Sequence, residues 1–112
     1  MLGGRTMVKE INQKQLKDEV ISNSKIVLVD FYADWCMPCK MMAPVLENLS
    51  NDYESEVTVL KINTDQNEQA SRAFEIFSIP TLIFFRNGKM ATRLVGFNSA
   101  EKIMETARRL NK

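Results

Sequence analysis

The chain has no histidine, and its 112 residues include only two cysteines and one tryptophan. Without an imidazole, a Cys–His nucleophile of the cysteine-protease kind cannot form. Two thiolates without histidine also cannot complete a zinc site within one chain unless carboxylates are recruited. We therefore expect Cys36 and Cys39, three positions apart, to act as a pair with no metal bound.

An excess of one charge and long apolar runs are missing as well. Lysine and arginine total 15 against 14 for aspartate and glutamate, so the net charge of +1 indicates neither nucleic acid nor an anionic membrane as a partner. No apolar run approaches the roughly 18 residues of a membrane-spanning helix, and the N-terminus lacks the pattern of an export signal. We therefore expect a cytoplasmic protein.

The length and composition fit one compact domain, with 45% hydrophobic residues available for a core. Residues 1–6 show no strand or helix pattern, so we interpret them as an N-terminal extension or a remnant of cloning. Residues 7–112 are predicted to form the domain.

Apolar runs of strand length occur at residues 26–32, 57–62, 81–85 and 89–95. The first run is apolar on both faces except for Asp30, as in a strand buried within a sheet. Asn87-Gly88 predicts an antiparallel hairpin between the last two strands. Because helical segments separate the earlier strands, we predict the order β-α-β-α-β-α-β-β-α, an α/β fold with a mixed five-stranded sheet flanked by four helices.

The four helices are placed by their apolar periodicity and their caps. Asn12 is a suitable N-cap for the first helix, and Ser99 or Asn98 for the last. The second helix begins at Cys36. The third is predicted to carry its apolar residues on one face: Ala70, Ala73, Phe74 and Phe77.

The start of the second helix gives the cysteine pair a chemical role. With Cys36 as N-cap, the free backbone N–H of Cys39 can point at the Cys36 sulfur, which favours the thiolate over the thiol. Pro38 needs no N–H in the first turn, and its fixed φ stiffens the loop between the sulfurs. A Cys-x-x-Cys motif beside a βαβ pattern predicts thiol–disulfide exchange.

Two other interpretations of the pair stay open. A structural disulfide that closes so short a loop would stabilise the fold by only about 2 kcal/mol in the chain-entropy model, against ~4.7 kcal/mol for a loop of roughly 100 residues. The pair could instead supply half of the ligands of a metal or iron–sulfur cluster shared by two chains.

Asp30 is a carboxylate within a buried strand, which is costly unless the group is paired, hydrogen-bonded or protonated. Burial should raise its pKa, and Lys61 in the neighbouring predicted strand could face it. The two groups could then move a proton to or from Cys39 through water. The alternative is that both side chains lie at solvent-exposed strand positions.

Three further residues allow two interpretations each. Pro80 either begins a strand with an ordinary trans bond or forms a cis bond with Ile79. Trp35 is either a core residue or a surface platform beside the pair. Gly96 either ends a strand in a turn or lets the backbone of a partner come close.

The chain resembles the thioredoxin family from about Met7 to Lys112, and four segments in order carry the resemblance. A single Cys-x-x-Cys is modestly specific, whereas four ordered matches are highly specific. The matching segments are the active-site segment Val29 to Lys40, the strand and loop Lys61 to Asn67, the cis-proline segment Ile79 to Leu82, and the hairpin with Asn87-Gly88 and Val95-Gly96.

The resemblance implies a thioredoxin fold and a protein-disulfide reductase. Cys36 is then the exposed nucleophile, and Cys39 resolves the mixed disulfide. Asp30 is the buried proton acceptor with Lys61 as its partner, and the bond before Pro80 is cis. The substrate-binding residues that the resemblance implies are Trp35, Met37, Pro38, Ile79, Pro80 and Gly96.

The resemblance also implies the partners of the protein. Its substrates would be protein disulfides, and a flavin-containing thioredoxin reductase would reduce the Cys36–Cys39 disulfide again. NADPH would act only indirectly, through that reductase, so no bound cofactor is expected. We expect a monomer.

Met37 is the one departure from the family's usual motif, which has glycine between the nucleophilic cysteine and the proline. A larger apolar residue there could change redox potential or partner choice, since about 1.4 kcal/mol corresponds to ~30 mV for a two-electron couple. Two rival functions remain. One is an oxidase or isomerase of the same fold, and the other is a binding module switched by its thiols.

Overall fold

The computed structural model describes residues 8–111, and the predicted extension at residues 1–6 lies outside this range. The strands are β1 (Lys9–Glu10), β2 (Ile26–Tyr32), β3 (Val57–Asn63), β4 (Thr81–Arg86) and β5 (Lys89–Val95). The helices are α1 (Gln13–Ile21), α2 (Met37–Asp52), α3 (Glu68–Ala73) and α4 (Ala100–Leu110). A short 3-10 helix, Thr64–Gln66, lies between β3 and α3.

The five strands form one mixed sheet with the order β1-β3-β2-β4-β5. Strands β1 and β2 are parallel to β3, whereas β4 is antiparallel to β2 and β5 to β4. Asn87 and Gly88 form the hairpin turn with φ values of 54° and 80°, the left-handed region in which this dipeptide is favoured. The predicted fold class is confirmed.

Apolar cores cover both faces of the sheet because side chains alternate along each strand. In β2, Leu28 packs in the core that α2 and α4 cover, and Val29 packs in the core that α1 and α3 cover. Asp30 therefore faces α2 from the middle of the sheet. The prediction that β2 is buried on both faces is confirmed.

The predicted cap of α1 is also confirmed. The Asn12 side chain accepts hydrogen bonds from backbone N–H groups of the first turn, and the Gln15 side chain accepts one from the Asn12 N–H, which together form a capping box. Ser99, rather than Asn98, caps α4. No helix among residues 8–111 is long and apolar enough to cross a membrane.

The prediction for the third helix is only partly correct. Ala70 is buried as expected, but α3 ends at Ala73, which is exposed. Phe74 packs against rings of β2 and β4, with centroid distances of 5.9 and 5.7 Å. Glu75 has a φ of 53°, so the chain turns away, and Phe77 is 90% exposed rather than on an inner helix face.

Candidate active site

Cys36 and Cys39 lie where β2 ends and α2 begins, and a disulfide joins them with a Cα–Cα distance of 5.2 Å. Cys36 is the N-cap of α2, with an extended backbone. The backbone N–H of Cys39 donates a hydrogen bond to the Cys36 sulfur at 3.2 Å. The predicted cap is confirmed, and in the reduced protein the same donor and the other first-turn N–H groups favour negative charge on Cys36.

The Cys36 side chain is covered in this disulfide form. Cys36 and Cys39 are each 4% exposed and form a small buried cluster with Ala33, against which Ile79 packs. The Cys36 sulfur lies 3.7 Å from the carbonyl oxygen of Ile79. The expectation of an exposed nucleophile is therefore wrong for the oxidised protein, because the partner sulfur and the Ile79 backbone cover Cys36.

Exposed side chains nevertheless flank the buried sulfur. Trp35 is 70% exposed and Met37 is 63% exposed, and Pro38 is exposed beside them. The Trp35 indole N–H donates a 2.8 Å hydrogen bond to Asp65 Oδ2. This bond holds the ring at the surface, so the core interpretation of Trp35 is wrong.

The segment before β4 lies against the disulfide. The bond between Ile79 and Pro80 is cis, as the family resemblance implies. Pro80 is buried, and its carbonyl accepts a 2.7 Å hydrogen bond from the Gly96 N–H. Gly96 has a φ of 84°, and a Cβ built there would meet nothing within 4 Å. The Ile79 carbonyl therefore lies beside the Cys36 sulfur, the next residue is hydrogen-bonded to Gly96, and the space in the Cβ direction of Gly96 is open.

Four residues that adjoin these positions, in space or along the chain, were not predicted as site residues from the sequence. Asp65, which binds Trp35, follows β3 at the edge where β2 also ends, so the rule that sites lie at the carboxyl ends of parallel strands could have found it. Val95 and Phe97 flank Gly96, and Phe77 lies two residues before Ile79; all three are exposed. Nothing in the sequence indicated that Phe77 lies at the surface, because its helical spacing favoured a core position.

Asp30 lies behind the disulfide and is 4% exposed. The β2–β3 register places it directly beside Lys61, which is half-buried. Asp30, Lys61 and Cys39 line a single cavity of about 150 Å³. The structure therefore brings together the three residues that the sequence analysis linked by proton transfer.

The electrostatic environment of Asp30 is unfavourable for its charged form. Burial raises the pKa of Asp30 to about 7, and the positive charge of Lys61 lowers it only in part. The Asp30 Oδ1 atom has no hydrogen-bond partner within residues 8–111. The prediction of a buried carboxyl with a raised pKa is confirmed, and the solvent-exposed alternative is wrong for Asp30.

No group of three or more cysteine, aspartate or glutamate side chains in the described part of the chain is arranged to hold a metal ion. The Cys36–Cys39 disulfide and its dithiol form can undergo thiol–disulfide exchange, and the buried Asp30 carboxyl beside them is able to accept a proton.

A model of the thioredoxin family matches residues 7–109. The chain belongs to the thioredoxin family. It is 39% identical to a thioredoxin of Rickettsia bellii over 99 residues, which cover 88% of this chain and 94% of that protein. It is 48% identical to a thioredoxin of Staphylococcus saprophyticus over 82 residues, which cover 73% of this chain and 79% of that protein.

Membership of the thioredoxin family and the Cys36–Cys39 pair together establish the general activity. The protein is a thiol–disulfide oxidoreductase with a redox-active disulfide, and its reaction is the reduction of protein disulfides. The function predicted from the sequence is confirmed at this level.

Proposed function

We propose that Cys36 is the attacking thiolate of this reductase and Cys39 the resolving thiol. The observation that carries the assignment is the 3.2 Å hydrogen bond from the Cys39 N–H to the Cys36 sulfur at the start of α2. In the reduced protein, the Cys36 thiolate attacks one sulfur of the substrate disulfide and bonds to it. The second substrate sulfur leaves and takes up a proton.

Resolution of the mixed disulfide then requires the Cys39 proton to leave. Deprotonated Cys39 attacks the Cys36 sulfur, and the bond between Cys36 and the first substrate sulfur breaks. That sulfur leaves as a thiolate and takes up a proton. The substrate has gained two electrons and two protons, and the Cys36–Cys39 disulfide remains. Asp30 is the proton acceptor in this proposal, supported by the cavity that it shares with Cys39 and by its pKa of about 7, near the pH at which a general base works best.

Lys61 is the partner of Asp30 in this step. Its in-register position beside Asp30 lets its positive charge favour the ionised carboxylate, the form that can accept the Cys39 proton.

The substrate chain binds in front of the disulfide in the same proposal. The exposed Trp35 and Met37 supply apolar contacts on one side of Cys36. The open space before Gly96 supports close approach of a substrate backbone. The full set of proposed contact residues is Trp35, Met37, Pro38, Ile79, Pro80 and Gly96.

A thioredoxin reductase that draws its electrons from NADPH is the proposed source of reducing equivalents. The proposal is supported by family membership, since the disulfide seen here must be reduced before each turnover. A monomer in the cytoplasm is the proposed setting, because a reducing compartment keeps the dithiol form available.

The two cysteine roles are tested by separate serine variants in an insulin-disulfide reduction assay with dithiothreitol. Cys36→Ser should abolish catalysed reduction. Cys39→Ser should instead accumulate a mixed disulfide with the substrate, visible on a non-reducing gel and lost with reductant. Catalysed reduction by Cys36→Ser would contradict the assignment.

The role of Asp30 is tested by following resolution of the mixed disulfide in Asp30→Asn at several pH values. We expect resolution at neutral pH to be slower by about 100-fold or more, as for loss of one general base, and a smaller deficit at high pH, where Cys39 ionises unaided. Glu54→Gln, a change at an exposed carboxyl outside the cavity, is the control. Identical rates for Asp30→Asn and the unchanged protein across pH would remove Asp30 from the mechanism.

A further inference from the structure

Glu10, Lys61 and Asp30 form a row across three neighbouring strands. The strand registers pair Glu10 of β1 with Lys61 of β3, and Lys61 with Asp30 of β2. Residues paired in this way carry their side chains on the same face of the sheet. Lys61 therefore lies between two carboxyl groups, of which Asp30 is buried and Glu10 is exposed.

Tyr32 contacts both Lys61 and Glu10 of this row. Tyr32 lies two residues after Asp30 on the same face of β2, and its hydroxyl donates a 2.6 Å hydrogen bond to Glu10 Oε2. The Lys61 Nζ lies 5.5 Å from the centre of the Tyr32 ring, within the range of a cation–π contact. The ring and the Glu10 carboxylate together attract the ammonium towards the outer side of the row.

The surroundings of Asp30 are consistent with a Lys61 ammonium that lies away from its carboxyl. Its Oδ1 atom accepts no hydrogen bond from any group in residues 8–111. A carboxylate paired directly with an ammonium is strongly favoured in its charged form. Here desolvation outweighs the attraction of Lys61, as expected if the ammonium is held short of the carboxyl.

We propose that Tyr32 and Glu10 are positioning residues for proton transfer: they hold the Lys61 ammonium on the Tyr32 ring and keep it from pairing directly with Asp30. The inference rests on the proton-transfer role proposed above for Asp30. If Asp30 paired directly with Lys61, it would stay a carboxylate, and its affinity for the Cys39 proton would be low. With the Lys61 ammonium held on the Tyr32 ring, Asp30 can both take up and release the Cys39 proton.

Other charged side chains face the same space. Lys40 and Glu47 of α2 and Asp34 of the preceding loop line the cavity with Asp30. These three side chains are the same in every variant described below. A difference in the Asp30 pKa between variants therefore reports the effect of Tyr32 or Glu10.

The direct test is a titration of the Asp30 carboxyl carbon by ¹³C NMR in the oxidised protein. Tyr32→Leu removes the ring, so Lys61 should approach Asp30 and lower its pKa by about 0.5 unit, the size expected for loss of one cation–π contact. Tyr32→Phe keeps the ring and should retain most of the original pKa. Equal pKa values in the unchanged protein and Tyr32→Leu would overturn the proposal.

A Lys61→Gln background shows whether the effect passes through Lys61. In that background Tyr32→Leu and Glu10→Gln should leave the Asp30 pKa unchanged, although each lowers it when Lys61 is present. A shift that persists without Lys61 would mean that Tyr32 and Glu10 act on Asp30 directly, and the proposal would be wrong. Glu10→Gln lies on an exposed edge strand, so the cycle can be completed even if Tyr32→Leu fails to fold.

The titration is independent of turnover. If Asp30→Asn leaves the resolution rate unchanged, the proposed function of Asp30 fails, while the NMR cycle still decides where Lys61 is held. If the cycle shows no coupling through Lys61, the positioning proposal fails and the role of Asp30 is judged by its own kinetic test.

Discussion

Met37 adds apolar surface beside a sulfur that is itself almost inaccessible. It occupies the first position of α2 and is 63% exposed, whereas the neighbouring Cys36 is 4% exposed. In the proposed function, a protein substrate that brings its disulfide to Cys36 would contact the Met37 side chain. The glycine that the family usually carries at this position would offer no such contact.

Substitution of Met37 by glycine should weaken the binding of protein substrates. We expect Met37→Gly to raise KM for insulin roughly fivefold with little change in kcat, since about 1 kcal/mol of apolar burial would be lost. Met37→Leu, which keeps an apolar side chain of similar size, should retain the original KM. Reduction of a small aromatic disulfide should be nearly unchanged, and an equal loss there would mean that Met37 acts on the reactivity of the cysteines instead.

At the scale of single elements, the helix caps and the hairpin turn were readable because their determinants are local. Asn12 and Gln15 form a capping box within one turn of α1, and Asn87-Gly88 sets the turn between β4 and β5 by its backbone preference. The end of α3 was not readable. Phe77 has the spacing of an inner-face residue, but the left-handed Glu75 ends the helical path before Phe77 is reached.

The contribution of the α1 cap to folding stability can be tested separately from the active site. Asn12→Ala removes the side-chain acceptor for the first-turn N–H groups, so the free energy of unfolding should fall by about 1 kcal/mol. Asn12→Ser keeps an acceptor and should recover most of that loss. Urea unfolding followed by circular dichroism measures both, and equal stability of the alanine variant and the unchanged protein would contradict the cap.

At the scale of the whole molecule, Asp30 links folding stability to pH. Its pKa is about 7 in the fold against an ordinary value of 3.8, so the unfolded chain loses this proton first as the pH rises. Between about pH 4 and pH 7 the folded protein therefore binds more protons than the unfolded chain, and the contribution of Asp30 to stability falls with rising pH. A shift of about three units corresponds to roughly 4 kcal/mol over the whole range.

Asp30→Asn should remove that part of the pH dependence. We expect the unchanged protein to lose roughly 2–3 kcal/mol more than Asp30→Asn between pH 5 and pH 8, because the ionised carboxylate is absent from the variant. Urea unfolding at the two pH values measures the difference. Asp52→Asn, at the exposed end of α2, is the matched control, and parallel losses in all three proteins would show that Asp30 does not govern the dependence.

The sequence by itself determined the features whose causes lie within a few residues. These are the order of helices and strands, the capping of α2 by Cys36, and the hairpin between β4 and β5. The thiol–disulfide chemistry of two cysteines three positions apart, in a chain without histidine, is another. A buried carboxyl at Asp30 was also predictable, because the surrounding run is apolar on both faces.

Only the tertiary structure decided how the cysteine pair is covered and which side chains surround Asp30 behind it. Cys36 is covered by the distant Ile79 segment, and Trp35 is held at the surface by Asp65. The row of Glu10, Lys61 and Asp30 depends on the pairing of three strands, a register that no local pattern in the sequence sets. The physical reason is the same in each case: these contacts join residues far apart in the chain, and the fold alone brings them together.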